Sequence, residues 1–283
     1  MSGVAYRAAA SDPTVYPEEE RVGEELLRRW IAELLRPLVE RWLAQRGVAA
    51  LVGADQFIYY EQHNPHKRLA PDVYVLPGVP PQTRVRAWKL WQTGIAPSFA
   101  FEVVSTDWEK DYVETPERAA EAGISELVIF DPGWAERPGG AGARWQIYRR
   151  AGKRGLGRIV TTNEDRVRSR SLGCWLRAVG FGDAARVRLG TGVRGEHLVP
   201  TAEEAERAAK EVERAAKEVA LAETEAERAA KEAALADREV ERAAREAERA
   251  AKEAERAAKQ AALERVAELE AELRRLRRRR SGR

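Results

Sequence analysis

A seven-residue unit dominates the C-terminal part of this chain. Eight consecutive copies, each resembling AERAAKE, run from Ala205 to Gln260. With Ala205 as position a, positions a and d are filled by Ala, apart from three Val at position a. Alanine is the strongest helix former, and Glu–Lys or Glu–Arg pairs four residues apart add to helix stability. The repeat therefore predicts a long helix, either paired as a coiled coil or solvated as a single helix.

The composition changes abruptly at Pro200. All 20 aromatic residues, all 13 Pro and 20 of the 21 Gly lie at or before that residue. A packed core needs aromatic and mixed apolar side chains, which the repeat lacks. We therefore expect a mobile N-terminus over residues 1–18, a folded domain over 19–199, a long helix or coiled coil over 200–276 and an Arg-rich tail over 277–283.

Several protein classes can be excluded from composition. The chain has no run of about 18 apolar residues, so we expect no membrane-spanning helix. The N-terminal segment has no apolar signal-peptide core, which predicts a cytoplasmic protein. The lone Cys174 excludes an intrachain disulfide or a cysteine-based zinc cluster, and we expect it to be buried. The net charge of +3 is weak evidence for nucleic-acid binding, because the terminal Arg cluster supplies much of the basic character.

The sequence of the domain predicts strands flanked by helices. Apolar residues at three- and four-residue spacing predict a helix from about Glu19 to Arg46, bent at Pro37 and ended by Gly47. A second helix is expected around residues 115–122. Strands are predicted at VAALVG, QFIYYE, PDVYVL, SFAFEVVS, ELVIFDPG, RWQIYRR, LGRIVTT, CWLRAVG and ARVRL. The order of elements indicates an α/β or α+β sheet domain, with the largely apolar SFAFEVVS at the centre of the sheet.

Two carboxylates stand out by their position in these strands. Asp72 opens the strand PDVYVL, and Glu102 lies between Phe101 and Val103 in SFAFEVVS. A carboxylate in an apolar strand is costly unless it meets a metal, a cation or hydrogen-bond donors. From the residues alone, a structural ion pair and a metal or catalytic site both explain these positions.

The chain resembles a known family at these positions. The segments IYYEQHNPHKRLAPDVYVLPGV and AWKLWQTGIAPSFAFEVVSTDWEKDYVETPERAAEAGISELVIFDP carry a PD step, an E-V-x-S step and a G-x-x-E-L-x-x-F-D-P segment. Together and in this order they resemble the Uma-two family of restriction-type endonucleases, within the PD-(D/E)XK nuclease superfamily. The resemblance covers about residues 19–200. It implies a restriction-endonuclease-like mixed sheet with flanking helices, followed here by the long C-terminal helix.

The resemblance also implies a catalytic site. Asp72 and Glu102 would hold Mg²⁺ or Mn²⁺, with the carbonyl of Val103 as a further ligand. A Glu of the first helix would complete the site, and Glu25 and Glu33 are both candidates. Oxygen ligands suit Mg²⁺, which keeps several waters and needs few ligands from the protein.

The family's lysine is missing from this sequence. Val104 occupies the superfamily position, and Thr115 stands where the family's displaced lysine would be. Lys110 lies five residues before Thr115, about 140° away on a regular helix. Lys110 is therefore expected to act only if the chain before Thr115 is irregular, and otherwise to be solvated or ion-paired.

The sequence is compatible with three alternative functions. The first is a Mg²⁺-dependent DNA endonuclease that hydrolyses phosphodiester bonds, with Asp72, Glu102 and Lys110 as catalytic residues. The second is a nuclease fold without turnover that binds nucleic acid or assembles through its coiled coil, which Thr115 favours. The third is a structural cap on a helical spacer. DNA is the expected partner, a homo-oligomer through the C-terminal helix is expected, and no membrane is involved.

Overall fold

The predicted amphipathic helix is the first described element of the domain, and its expected start at Glu19 lies outside the described residues. The computed structural model describes Thr14 and residues 26–84, 86–152 and 155–280, and the predicted mobile segment lies outside these apart from Thr14. Helix α1 (Leu26–Gln45) contains Pro37, as expected, and buries one face through side chains three and four apart: Ile31, Leu35, Leu38, Val39 and Leu43. Gly47 follows with φ of 68°, a left-handed conformation that glycine adopts without strain.

A six-stranded mixed sheet forms the centre of the domain. Its strands, in spatial order, are β1 (Ala50–Gly53), β4 (Val73–Pro77), β6 (Phe99–Val103), β7 (Glu126–Phe130), β8 (Trp145–Arg150) and β9 (Leu156–Thr162). The β6–β7 pair is parallel and the other neighbours are antiparallel. The central position predicted for SFAFEVVS is confirmed, since β6 is the third of six strands and is buried along its length.

Two smaller sheets cover the central one. A four-stranded antiparallel sheet follows the order β10 (Arg166–Ser169), β11 (Cys174–Val179), β12 (Arg186–Thr191) and β13 (His197–Leu198). Its inner face and α1 share one core cluster with one face of the central sheet. The other small sheet has the order β3 (Arg68–Leu69), β2 (Phe57–Tyr59) and β5 (Ala87–Lys89), followed by a short α2 (Leu90–Thr93).

The crossover between the parallel strands is a helix longer than predicted. Helix α3 (Trp108–Glu121) begins seven residues before the expected start at Thr115. Pro116 would favour a start at that point, but it lies inside the helix. The first turn carries Glu109 and Asp111, and acidic residues stabilise a helix N-terminus. The region before Thr115 is therefore helical rather than irregular.

The repeat forms the predicted long helix, α4 (Ala202–Arg280). Its start is a capping box, because the Glu204 N–H donates to Thr201 Oγ and the Thr201 N–H donates to Glu204 Oε2. The chain divides into two units, residues 1–205 and 206–283. Side chains from 206 to 275 are all exposed, with pairs such as Lys210–Glu206 joining successive turns. None of the helices in the described ranges is long and apolar enough to cross a membrane.

Candidate active site

Asp72 and Glu102 meet where two neighbouring strands pass each other. Asp72 directly precedes β4, Glu102 lies in β6, and the antiparallel register pairs Val73 with Phe101. The start of β4 therefore lies beside the end of β6. Asp72 is 2% exposed and Glu102 8%, and Asp72 Oδ2 accepts a hydrogen bond of 2.6 Å from the Val103 N–H. The sheet itself fixes both carboxylates.

A cation from α1 bridges the two carboxylates. Arg28 Nη2 donates to Asp72 Oδ1 at 2.9 Å and to Glu102 Oε1 at 3.2 Å. Arg28 was absent from the sequence-based site. Its position contained a signal, because Arg28 lies three residues before Ile31 and seven before Leu35, on the buried stripe of the helix. A charged residue on such a stripe needs a buried partner.

Burial and charge perturb all three groups. Burial raises the pKa of Glu102 well above its usual range, and the negative charge of Asp72 raises it further. Burial also raises the pKa of Asp72, while Arg28 and the Val103 N–H oppose that rise. For Arg28, burial acts to lower the pKa, but the two carboxylates outweigh it and the pKa rises. The guanidinium therefore stays charged, and it opposes the rise in the pKa of both carboxylates.

Asp111 supports the loop that follows β6. Its Oδ2 accepts hydrogen bonds of 2.7 Å from both the N–H and the Oγ of Ser105. Its charge also raises the pKa of Glu102. Thr115 is half-buried one turn beyond Asp111, so the two residues share a face of α3. Glu114 is paired with Arg118 at the surface.

The other predicted residues lie away from this cluster. Lys110 is exposed on the unbroken α3, so the irregular chain that its role required is not present. Glu33 pairs with Arg29 and is 58% exposed. It follows Arg28 by five residues, which is about 140° around the helix. Glu25 lies outside the described residues.

The donor set fits a hard divalent cation. Asp72 Oδ1 and Glu102 Oε1 converge on one point, and the Val103 carbonyl is the third predicted ligand. Within the described ranges, no group of three or more His, Cys, Asp or Glu side chains forms a metal cluster. Two carboxylates and a carbonyl nevertheless suit Mg²⁺, which keeps several waters. Arg28 Nη2 lies at the convergence point, so the same oxygens cannot bind a metal until it moves.

Comparisons with known proteins give the family. No curated protein matches the chain. A crystal structure of a "putative nuclease belonging to DUF820" from Anabaena variabilis ATCC 29413 is similar over 53% of this chain and 75% of that chain, at 13% sequence identity and a TM-score of 0.36. A family model described as "Putative restriction endonuclease", Uma2, matches residues 20–178, which is more than half of the 283 residues. This chain therefore belongs to the Uma2 family.

Proposed function

We propose that this protein is a divalent-metal-dependent DNA endonuclease with its site at Asp72 and Glu102. The observation that carries the proposal is the convergence of two buried carboxylates, from neighbouring strands, on a single cation position. Burying two carboxylates this close together in the low-dielectric interior of a sheet costs free energy unless a cation compensates their charge. The description of the Uma2 family supports a nuclease reaction for this domain.

The chain's own residues would hold and balance the metal. Asp72 and Glu102 would supply two oxygens, with the Val103 carbonyl as a third, and Mg²⁺ or Mn²⁺ fits this donor set. Such a metal lowers the pKa of a bound water and offsets charge on the scissile phosphate. The hydrogen bond from Val103 to Asp72 holds one carboxylate in place. Arg28 balances the charge of both carboxylates and must leave their shared point for the metal to enter.

Plasmid cleavage tests this proposal. Purified wild-type protein would be incubated with supercoiled DNA and Mg²⁺ or Mn²⁺, beside Asp72→Asn, Glu102→Gln and Lys110→Ala. Glu33→Gln is the matched control, since Glu33 is an exposed acid on α1. We expect the two carboxylate variants to lose at least about 100-fold in rate, because each removes a charged ligand. Cleavage that survives in both variants would place the reaction elsewhere.

Thr115 favours a second function, a nuclease fold that binds nucleic acid without turnover. The residue is half-buried on the same face of α3 as Asp111, and its hydroxyl cannot supply the positive charge of a lysine. Thr115→Lys separates the two functions. Wild-type cleavage supports the active enzyme, whereas cleavage by Thr115→Lys alone supports a binding module descended from one.

A further inference from the structure

The outer face of the four-stranded sheet carries an unusual set of arginines. Side chains alternate along β10 and β11, so Val167 and Leu176 face the core while Arg166, Arg168 and Arg177 face outward. The register places Arg166 opposite Arg177 and Arg168 opposite Trp175. Like charges directly opposite each other destabilise a sheet unless an anion lies between them.

A cavity of about 520 Å³ opens beside these strands. We call it the β10 pocket, and define it by six of its lining residues, Arg149, Thr162, Arg166, Arg168, Arg170 and Trp175. The Arg168 guanidinium lies 5.7 Å from the centroid of the Trp175 ring. The wall is therefore cationic, with an aromatic side chain beneath one of the charges.

Most of the nearby acidic side chains already form ion pairs with arginines. Glu126 is 1% exposed and accepts a hydrogen bond of 2.8 Å from Arg149 Nε, together with hydrogen bonds from Ser169 and two backbone N–H groups. Asp165 lies 3.1 Å from Arg177 and 3.5 Å from Arg166.

Two arginines of the β10 pocket remain available. Arg168 and Arg170 are exposed, and no carboxylate in the described part of the chain forms an ion pair with either. The β10 pocket and Arg177 together contain five arginines. The two carboxylates Glu126 and Asp165 neutralise two of these five positive charges. A positive charge of about three therefore remains for an external anion.

The spacing of the arginines fits a phosphate chain better than one small anion. Arg168 and Arg170, the two available arginines, are two residues apart in the chain, so their Cα atoms are separated by up to about 7 Å. That distance corresponds to about two phosphate repeats along the axis of a nucleic-acid strand. Guanidinium groups hydrogen-bond phosphate oxygens in pairs and stack on flat rings.

The β10 pocket is distinct from the candidate active site. Glu126, which anchors the pocket through Arg149, is the first residue of β7, whereas Glu102 pairs with Ile129 near the end of that strand. The two sites therefore lie toward opposite ends of the parallel strands. We propose that the β10 pocket binds backbone phosphates of duplex DNA as a second contact, remote from Asp72 and Glu102. This inference rests on the proposed function in one respect, namely that DNA is the source of the phosphate groups.

Salt-dependent binding tests the proposal. The full chain, in EDTA to prevent cleavage, would be titrated into a fluorescein-labelled 20-base-pair duplex, and anisotropy would be read between about 50 and 200 mM salt. Arg168→Gln/Arg170→Gln is the test variant. Arg36→Gln/Arg118→Gln is the control, because it removes the same charge from two ion-paired surface arginines.

We expect the test variant to bind at least about fivefold more weakly, with a salt slope smaller by about 1.8, since each lost phosphate contact removes about 0.9. The control should keep the wild-type slope. A wild-type slope in the test variant would overturn the proposal, as would displacement of the duplex by micromolar inorganic phosphate, which would indicate a small-anion site.

Cleavage assays on the same proteins keep the two proposals separable. A reduced slope in the test variant with no cleavage by wild-type protein supports the β10 pocket and contradicts the proposed nuclease. Cleavage by wild-type protein with an unchanged slope in the test variant supports the nuclease and contradicts the pocket.

Discussion

Arg28 Nη2 lies 2.9 Å from Asp72 Oδ1, and the same nitrogen lies 3.2 Å from Glu102 Oε1. One guanidinium therefore serves two buried carboxylates contributed by different strands. The side chain of Arg28 is 24% exposed, so solvent reaches the arginine but hardly the carboxylates. The candidate site is thus stabilised by a cation that water, a metal or a phosphate can approach.

The Arg28→Gln variant should lower the free energy of unfolding by about 3 kcal/mol at neutral pH, because it leaves two buried carboxylates without a cation. Urea denaturation followed by circular dichroism measures the change. Arg36→Gln, at an exposed pair with Glu40, is the control and should change stability by less than about 1 kcal/mol. A loss in Arg28→Gln no larger than in the control would mean that Arg28 does not compensate the carboxylates.

The same Arg28→Gln substitution should strengthen divalent-metal binding by at least about tenfold, since the cation that competes for both oxygens is gone. Isothermal titration of Mn²⁺ into wild-type and variant protein gives the two affinities directly. The double variant Arg28→Gln/Asp72→Asn should lose this gain, because one ligand is missing. Equal affinities in wild-type and Arg28→Gln protein would show that Arg28 and the metal do not share a position.

The Cys174 thiol should be almost unreactive in the native protein. Burial raises the pKa of Cys174 to about 12, so at pH 8 only about one thiol in ten thousand is ionised. The thiolate is the reactive form. As long as the pH is below the pKa, the thiolate fraction increases about tenfold for each unit by which the pH is raised. Ellman's reagent at pH 8 should label the unfolded chain within seconds and the folded chain far more slowly. Matching rates in buffer and in 6 M guanidinium would contradict a buried thiol.

The long helix should cause concentration-dependent association. Leu269 and Leu273 are 48% and 55% exposed on α4, beyond the alanine repeat, and their four-residue spacing puts two large apolar side chains on one face of the helix. Sedimentation should detect an oligomer of the full chain and a monomer of a chain that ends at Ala205. Leu269→Gln/Leu273→Gln should weaken association at least about tenfold, because burying each leucine contributes about 2 kcal/mol. A monomeric full chain at high concentration would support a solvated single helix.

The fold could largely be predicted from periodicity, because burial imposes it. Strand β6 could be placed at the centre of its sheet since SFAFEVVS is apolar on both faces, and Glu102 was conspicuous within it. Strand β10 was not predicted, because RVRS is short and half arginine. Helix α3 begins earlier than predicted, and Pro116, a residue type that favours the first turn of a helix, lies inside it.

The candidate site could be predicted only in part. Asp72 and Glu102 lie close together, as a shared metal site would require, because they belong to segments that the sequence marks clearly as strands and that pair in the sheet. The buried stripe of α1 marks Arg28 as a charge that needs a partner, but its partners lie 44 and 74 residues away, and no local pattern identifies them. Lys110 carries a positive charge and is close to Thr115 in sequence, but it lies exposed on the regular helix α3.

Those same separations have a consequence for the order of folding. Every contact that assembles the carboxylates and the arginine joins residues at least 31 positions apart. Such contacts form only after large loops have closed, so they belong to the slow, cooperative part of folding. A nascent or partly folded chain therefore lacks the assembled cluster of Asp72, Glu102 and Arg28. Under the proposed function, the cell that makes this protein meets an active nuclease only once the sheet is complete.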